Sequence, residues 1–267
     1  MTIPPSLPIQ VSESPEHRHN HHTQIQTAHQ GQPKTGTQDT LQTNYLPPQK
    51  TLAQLALWES KDEKIQSIAE IEQLLNDVIQ QSFPELKNTK IGLASFKAES
   101  VFFQSNFKPL SLLKKNKHYL IQVNSAILQR QLPKQAAKAI LAHELSHTLD
   151  YHKGGVGGIL KVGWQIVTDE DCYEHRTDIQ AIARGYGQGL MAYRNWIYTQ
   201  IPAQDLPHKQ ATYYQPQEIE VLMQHLSEAE KQGFKPQLIE IWLKQPPMNV
   251  EEMKRSFQQV LGKNAVR

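Results

Sequence analysis

Cysteine is nearly absent. Cys172 stands alone among 267 residues, so no disulfide can form within the chain and a disulfide-stapled scaffold is excluded. A zinc ribbon, which needs several thiolates, is excluded by the same count. Charge of one sign is also missing. The 28 Lys and Arg nearly balance 26 Asp and Glu, for a formal net charge of +2. That leaves no electrostatic reason to expect nucleic acid or an anionic membrane as the main partner. No run approaches the roughly 18 apolar residues of a membrane span. The first residues, MTIPPSLPIQ, offer neither a basic n-region nor an apolar h-region, so no conventional secretory signal is read. A cytoplasmic protein is expected, with export of an effector by a specialised route as the other reading.

Large apolar residues are scarce in the first fifty positions, which are rich in Gln, Thr, Ser, Pro and His. Such a segment buries too little surface to offset the entropy of ordering it, so residues 1–50 read as a disordered polar tail. His17, His19, His21, His22 and His29 fall there and read as biased composition rather than as a metal site. Residues 51–200 are expected to form the core domain. Residues 201–267 are expected to form a helical subdomain packed on it.

Within the core, Ile65, Ile68, Ile71, Leu75, Val78 and Ile79 recur at helical spacing, which predicts a helix over 51–82. Three short runs, 91–96, 101–107 and 119–123, read as strands. Pro133 then marks a helix start, and 135–151 holds neither Gly nor Pro. Gly154 and Gly155 predict its end, with a Gly-containing connection over 153–168 and a mobile lip at 154–158. GGVGG lacks the GK[ST] ending of a phosphate loop and follows a helix, so it is not read as one. Asp169–Asp171 favours a second helix start. That helix is expected to run toward Thr199, with Gly185, Gly187 and Gly189 as break points. Beyond Pro202 the pattern is helical, including 216–231 and 250–262.

The chemistry lies in Leu141-Ala142-His143-Glu144-Leu145-Ser146-His147. Residues i and i+4 share a helix face, so His143 and His147 can offer imidazole nitrogens to one ion. Glu144 points partly aside and can reach water instead. This is the HExxH arrangement of zinc hydrolases. A random chain of this composition would contain about 0.04 such motifs, so chance is a poor explanation. The opposite face, Ala137, Leu141, Leu145 and Leu149, is apolar and suited to a core.

A catalytic zinc usually takes three protein ligands and keeps one open position. The third is not six residues on, where Lys153 stands, and His152 is out of step. Glu174 is the better candidate. On a helix it shares a face with Asp178, which can accept a hydrogen bond from a ligating imidazole and fix its tautomer. Cys172 should face elsewhere and reads as a buried structural residue.

HExxH followed by ExxxD on a second helix resembles the gluzincin group of zinc metallopeptidases. YEHRTDIQAIA is similar to the form found in the M48 family, and the lead-in YLIQVNSA resembles that family's edge strand. Ile241-Trp242-Leu243-Lys244-Gln245-Pro246-Pro247 followed by Arg255 is a further echo, with Gln245 where the family has His. The resemblance covers 118–267. It implies an α+β, zincin-like fold: a small mixed sheet with an antiparallel edge strand over an active-site helix, a second ligand helix and a helical C-terminal part. It implies one Zn²⁺ held by His143, His147 and Glu174, with Glu144 as general base in peptide hydrolysis and Asp178 behind a ligand. It implies an extended peptide or protein substrate lying along an edge strand near Tyr119–Asn124. It also implies an oxyanion helper from a later segment, for which His208, Tyr213, Tyr214, His225 and Arg255 are the candidates. The reading from another class is a non-catalytic zinc-binding or regulatory protein that keeps the fold.

Overall fold

A computed structural model describes residues 63–107 and 118–265, with only the backbone described for 107, 154–168 and 264–265. All of these belong to one compact unit. The tail, its five histidines and the first part of the helix expected over 51–82 lie outside the described residues.

The first helix, α1, spans Ile68–Ser82. It starts later than its apolar periodicity suggests because Ser67 caps it. The Ser67 hydroxyl accepts the Glu70 N–H, and the Glu70 carboxylate accepts the Gln66 N–H, which satisfies donors that the first turn leaves free. Ile65 is therefore outside the helix, buried, and bonded through its N–H to Leu132. The stripe Ile71, Leu74, Leu75, Val78 and Ile79 faces the core.

Three strands follow: β1 Lys90–Phe96, β2 Phe103–Phe107 and β3 His118–Asn124. The sheet order is β1-β3-β2, with β1 parallel and β2 antiparallel to β3. Tyr119, Ile121 and Val123 alternate into the interior. The sheet is small and mixed and the fold is α+β, as expected. The edge position is not as expected. β3 is the central strand, hydrogen-bonded on both sides, and cannot offer a free edge. The antiparallel edge strand is β2.

After a single turn, α2 Ala126–Gln129, comes the long helix α3, Lys134–Thr168. Every residue from Ala139 to Leu149 is buried, so α3 is the central axis of the fold. It does not end at Gly154-Gly155. Glycine weakens a helix by about 1 kcal/mol per residue but removes no hydrogen-bond donor, and no proline interrupts 134–168. The expected connection and lip are therefore helix.

Asp169 accepts the Cys172 N–H and opens α4, Glu170–Ala183. Gly185, at φ 96°, ends it; that conformation suits glycine and few other residues. α5 then covers Gly187–Tyr198. It lies close against α3, where a side chain at Gly189 would meet the carbonyl of Gln135 and the methyl of Ala139. The remainder is helical: α6 Leu206–Thr212, α7 Pro216–Lys231, α8 Lys235–Lys244 and α9 Val250–Ala265. Their apolar residues, Leu222, Leu226, Leu238, Trp242, Met253 and Phe257, join the same core as Leu141 and Leu145. Among the described residues no helix is long and apolar enough to cross a membrane.

Candidate metal centre

α3 and α4 bring the expected residues together. His143, His147 and Glu174 form one buried group, the first two from α3 and the third from α4. Glu174 Oε2 lies 3.1 Å from His143 Nε2 and 3.3 Å from His147 Nε2. The two Nε2 atoms are 3.2 Å apart. These three edges make a nearly regular triangle of donor atoms.

The outer ring nitrogens are engaged. His143 Nδ1 is 2.8 Å from Asp178 Oδ1, and His147 Nδ1 is 2.9 Å from the Tyr173 hydroxyl. Nδ1–H donated outward leaves a lone pair on each Nε2 aimed at the centre. Two lone pairs and a carboxylate oxygen facing each other repel unless a cation stands among them. Glu174 Oε2 is buried and makes no aligned hydrogen bond, although buried polar atoms are normally satisfied. A tetrahedral ion with bonds of about 2.0–2.2 Å holds its donors about 3.3–3.6 Å apart, close to the triangle here. Two imidazoles and a carboxylate are a donor set that suits a first-row dication. The residues fit a metal ion.

The titration behaviour agrees. Burial opposes a charge on His143, but the hydrogen bond to Asp178 and the charges of Asp178 and Glu174 outweigh it, raising its pKa to about 10. Without a metal, the site recruits a proton as its cation. Burial also opposes charge on Glu174, yet the facing imidazoles hold its carboxyl far below the usual carboxylate range. Asp178 is fully buried, and Arg194 of α5 outweighs that burial and keeps its carboxyl ionised. Arg194 Nη2 donates to both Asp178 oxygens at 2.9 Å.

Glu144 is buried beside the cluster. Burial, the largest influence, raises its carboxyl pKa, partly countered by the charges of His147 and His143 and by the Ser105 backbone N–H. That bond ties the carboxylate to edge strand β2. A pocket opens on this side, lined by Phe103, Glu144, His143, Arg194, Lys209 and Tyr213 among others. Of the three donor residues the pocket is lined by His143, with the Glu144 carboxylate on the same wall.

The five oxyanion candidates separate cleanly. Tyr213 lines the pocket, its ring 5.9 Å from that of His143. Tyr214 stacks on His175 and donates to the Pro247 carbonyl. His225 stacks on Phe257. His208 is exposed on α6 and Arg255 is exposed on α9. These four do not line the pocket. His152 sits against Tyr119 and Thr89, away from the ligands. Cys172 is half-buried rather than buried and stands apart from the donor group.

Sequence reasoning missed Tyr173, Arg194 and Lys209. Arg194 carried a signal, since Leu190, Tyr193 and Ile197 form an apolar stripe into which an arginine at 194 falls. Tyr173 and Lys209 gave none. The geometry has to speak without relatives: comparison with family models, with curated proteins and with solved structures found no match to this chain.

Proposed function

We propose that this chain is a zinc-dependent peptidase of gluzincin type, with a zincin-like fold and a looser likeness to the M48 family, acting on peptides or proteins in the cytoplasm. One observation carries the reading. Three donors from HExxH and ExxxD form a triangle of 3.1–3.3 Å edges, adjoined by a pocket that His143 and Glu144 line.

His143, His147 and Glu174 would hold the ion. When bound, zinc supplies Lewis-acid polarisation of a carbonyl and acidifies water. Glu144 accepts a proton on its carboxylate from the attacking water and returns it to the leaving nitrogen. Its burial makes it more basic than an ordinary carboxylate. Asp178, backed by Arg194, accepts the His143 Nδ1–H and keeps Nε2 turned inward. The Tyr213 hydroxyl is the oxyanion helper, being the candidate that shares the pocket with His143. An extended substrate adds to the free edge of β2 by main-chain hydrogen bonds.

The test is metal analysis combined with proteome-wide cleavage profiling of the wild type against Glu144→Gln. Stoichiometric zinc in both proteins, with cleavage products only in the wild type, is the expected result. Products that persist equally in Glu144→Gln would sink the mechanism. Zinc in both with no products in either would favour the non-catalytic regulatory reading.

A further inference from the structure

Lys209 makes no ion pair among the described residues, and its position in the pocket gives it a use. It projects from α6 into the pocket that also holds His143 and Glu144. Its Nζ stands 5.0 Å from the centre of the Tyr213 ring, on which Arg194 also rests at 4.5 Å. Among the described residues no carboxylate lies within ion-pair distance of it. Arg194 is different, because both of its contacts to Asp178 are made.

A half-buried ammonium without a counterion is costly, and burial is the main influence pulling the Lys209 pKa down, followed by the charge of Arg194. Glu144, Glu174 and Asp178 set three negative charges against the positive charges of Arg194 and Lys209. The proton on His143 balances that excess in the metal-free site, and a dication that displaces the proton leaves a single positive excess. One more carboxylate would then neutralise the site.

The distances say whose carboxylate it is. Two ring contacts, of 5.0 and 5.9 Å, separate the ammonium from the His143 imidazole. An extended chain advances about 3.3–3.6 Å per residue. Lys209 therefore reaches a group one to three residues from the bond under attack. The pocket lining sets the apolar Phe103, Ile140 and Ile197 beside the polar Ser100 and Tyr198, so a charge seated there is partly shielded from water and its pairing is strengthened.

We propose that Lys209 selects substrates carrying a carboxylate close to the scissile bond, either an acidic side chain or a free C-terminus. This rests on the peptidase reading for its biological meaning. The test therefore includes a measurement that needs no turnover. Zinc-loaded Glu144→Gln protein is titrated by calorimetry with three N-acetylated tripeptide probes: Ala-Ala-Glu amide, Ala-Ala-Ala free acid and Ala-Ala-Ala amide. The same titrations are made on the double variants that add Lys209→Met or Lys209→Arg. At least one acidic probe should bind about tenfold or more tightly than the neutral amide. Lys209→Met should abolish the difference, and Lys209→Arg should keep it. Which acid is preferred tells a side chain from a terminus. Equal binding of all three probes, or a preference that survives Lys209→Met, overturns the proposal. In parallel, wild type and Lys209→Met are profiled for cleavage. A lysine-dependent binding preference with no cleavage would uphold the pocket and reject the peptidase, whereas cleavage with an unchanged site preference in Lys209→Met would do the reverse.

Discussion

Two regions of this molecule bury side chains by opposite rules. Among the described side chains, α3 and α4 bury ten polar or charged residues, including His143, Glu144, His147, Glu174, Thr177 and Asp178, whereas α7, α8 and α9 bury one, Lys235. A buried polar group costs about 1–3 kcal/mol when unpaired, and a charge costs more. The C-terminal helices meet that cost less often, at the buried Nε2 of His225, and fill their interior with Leu222, Leu238, Trp242 and Phe257. The central helices accept it, and even leave Glu174 Oε2 without a bond. The lesson is that the interior of α3 and α4 gathers the groups able to hold a metal ion, while the C-terminal helices contribute apolar packing to the shared core.

The comparison breaks most sharply at Glu174. Glu174→Gln should lose stoichiometric zinc while the metal-free protein stays folded, measured by elemental analysis and circular dichroism. Loss of folding instead would make Glu174 structural. Next comes Asp178→Asn. It leaves the buried Arg194 charge unpaired, which should cost about 3–5 kcal/mol in denaturant unfolding. It should also weaken zinc binding about 10–100-fold. Trp242→Ala, on the other side of the comparison, should cost about 3–5 kcal/mol with no change in zinc per folded chain. A matching loss of zinc would show that the two regions are not separable. Tyr173→Phe should be milder, weakening zinc binding less than Asp178→Asn, because a neutral hydroxyl is a weaker acceptor than a carboxylate.

The smallest effect is in pH. In metal-free protein the raised pKa of His143 contributes stability fully below about pH 6.5, lost as pH rises through about 10. The depressed carboxyl of Glu174 contributes above about pH 4.5 and loses its effect on acidification. The melting temperature of chelated protein should therefore peak between these limits. Zinc must displace the His143 proton, so uptake at pH 7 should release at least one proton and tighten as pH rises. Calorimetry in buffers of different ionisation enthalpy measures both. No proton release would remove His143 from the ligand set.

How much of this was legible in the residues follows the same division. His143, His147, Glu174 and Asp178 lie at i, i+4 spacings within single helices, and one-dimensional periodicity reports such pairs directly. The central strand was mistaken for the edge because strand order depends on connections, and three runs of similar length do not reveal it. The helix across Gly154–Gly158 was missed because glycine reads as a stop, although it forbids nothing that α3 needs. Lys209 meets the pocket only through the path of the chain after Pro202, which no local pattern encodes.

Gly185 gives the site a dependence on phase. α5 contributes no donor to the triangle, yet Arg194 on it secures the carboxylate behind His143. Each residue advances a helix by about 100°, so one alanine inserted between Gly185 and Tyr186 would leave both helices whole while turning Arg194 away from Asp178. The turn between α4 and α5 is thus an angular setting for the candidate metal centre, because its length fixes where Arg194 meets Asp178.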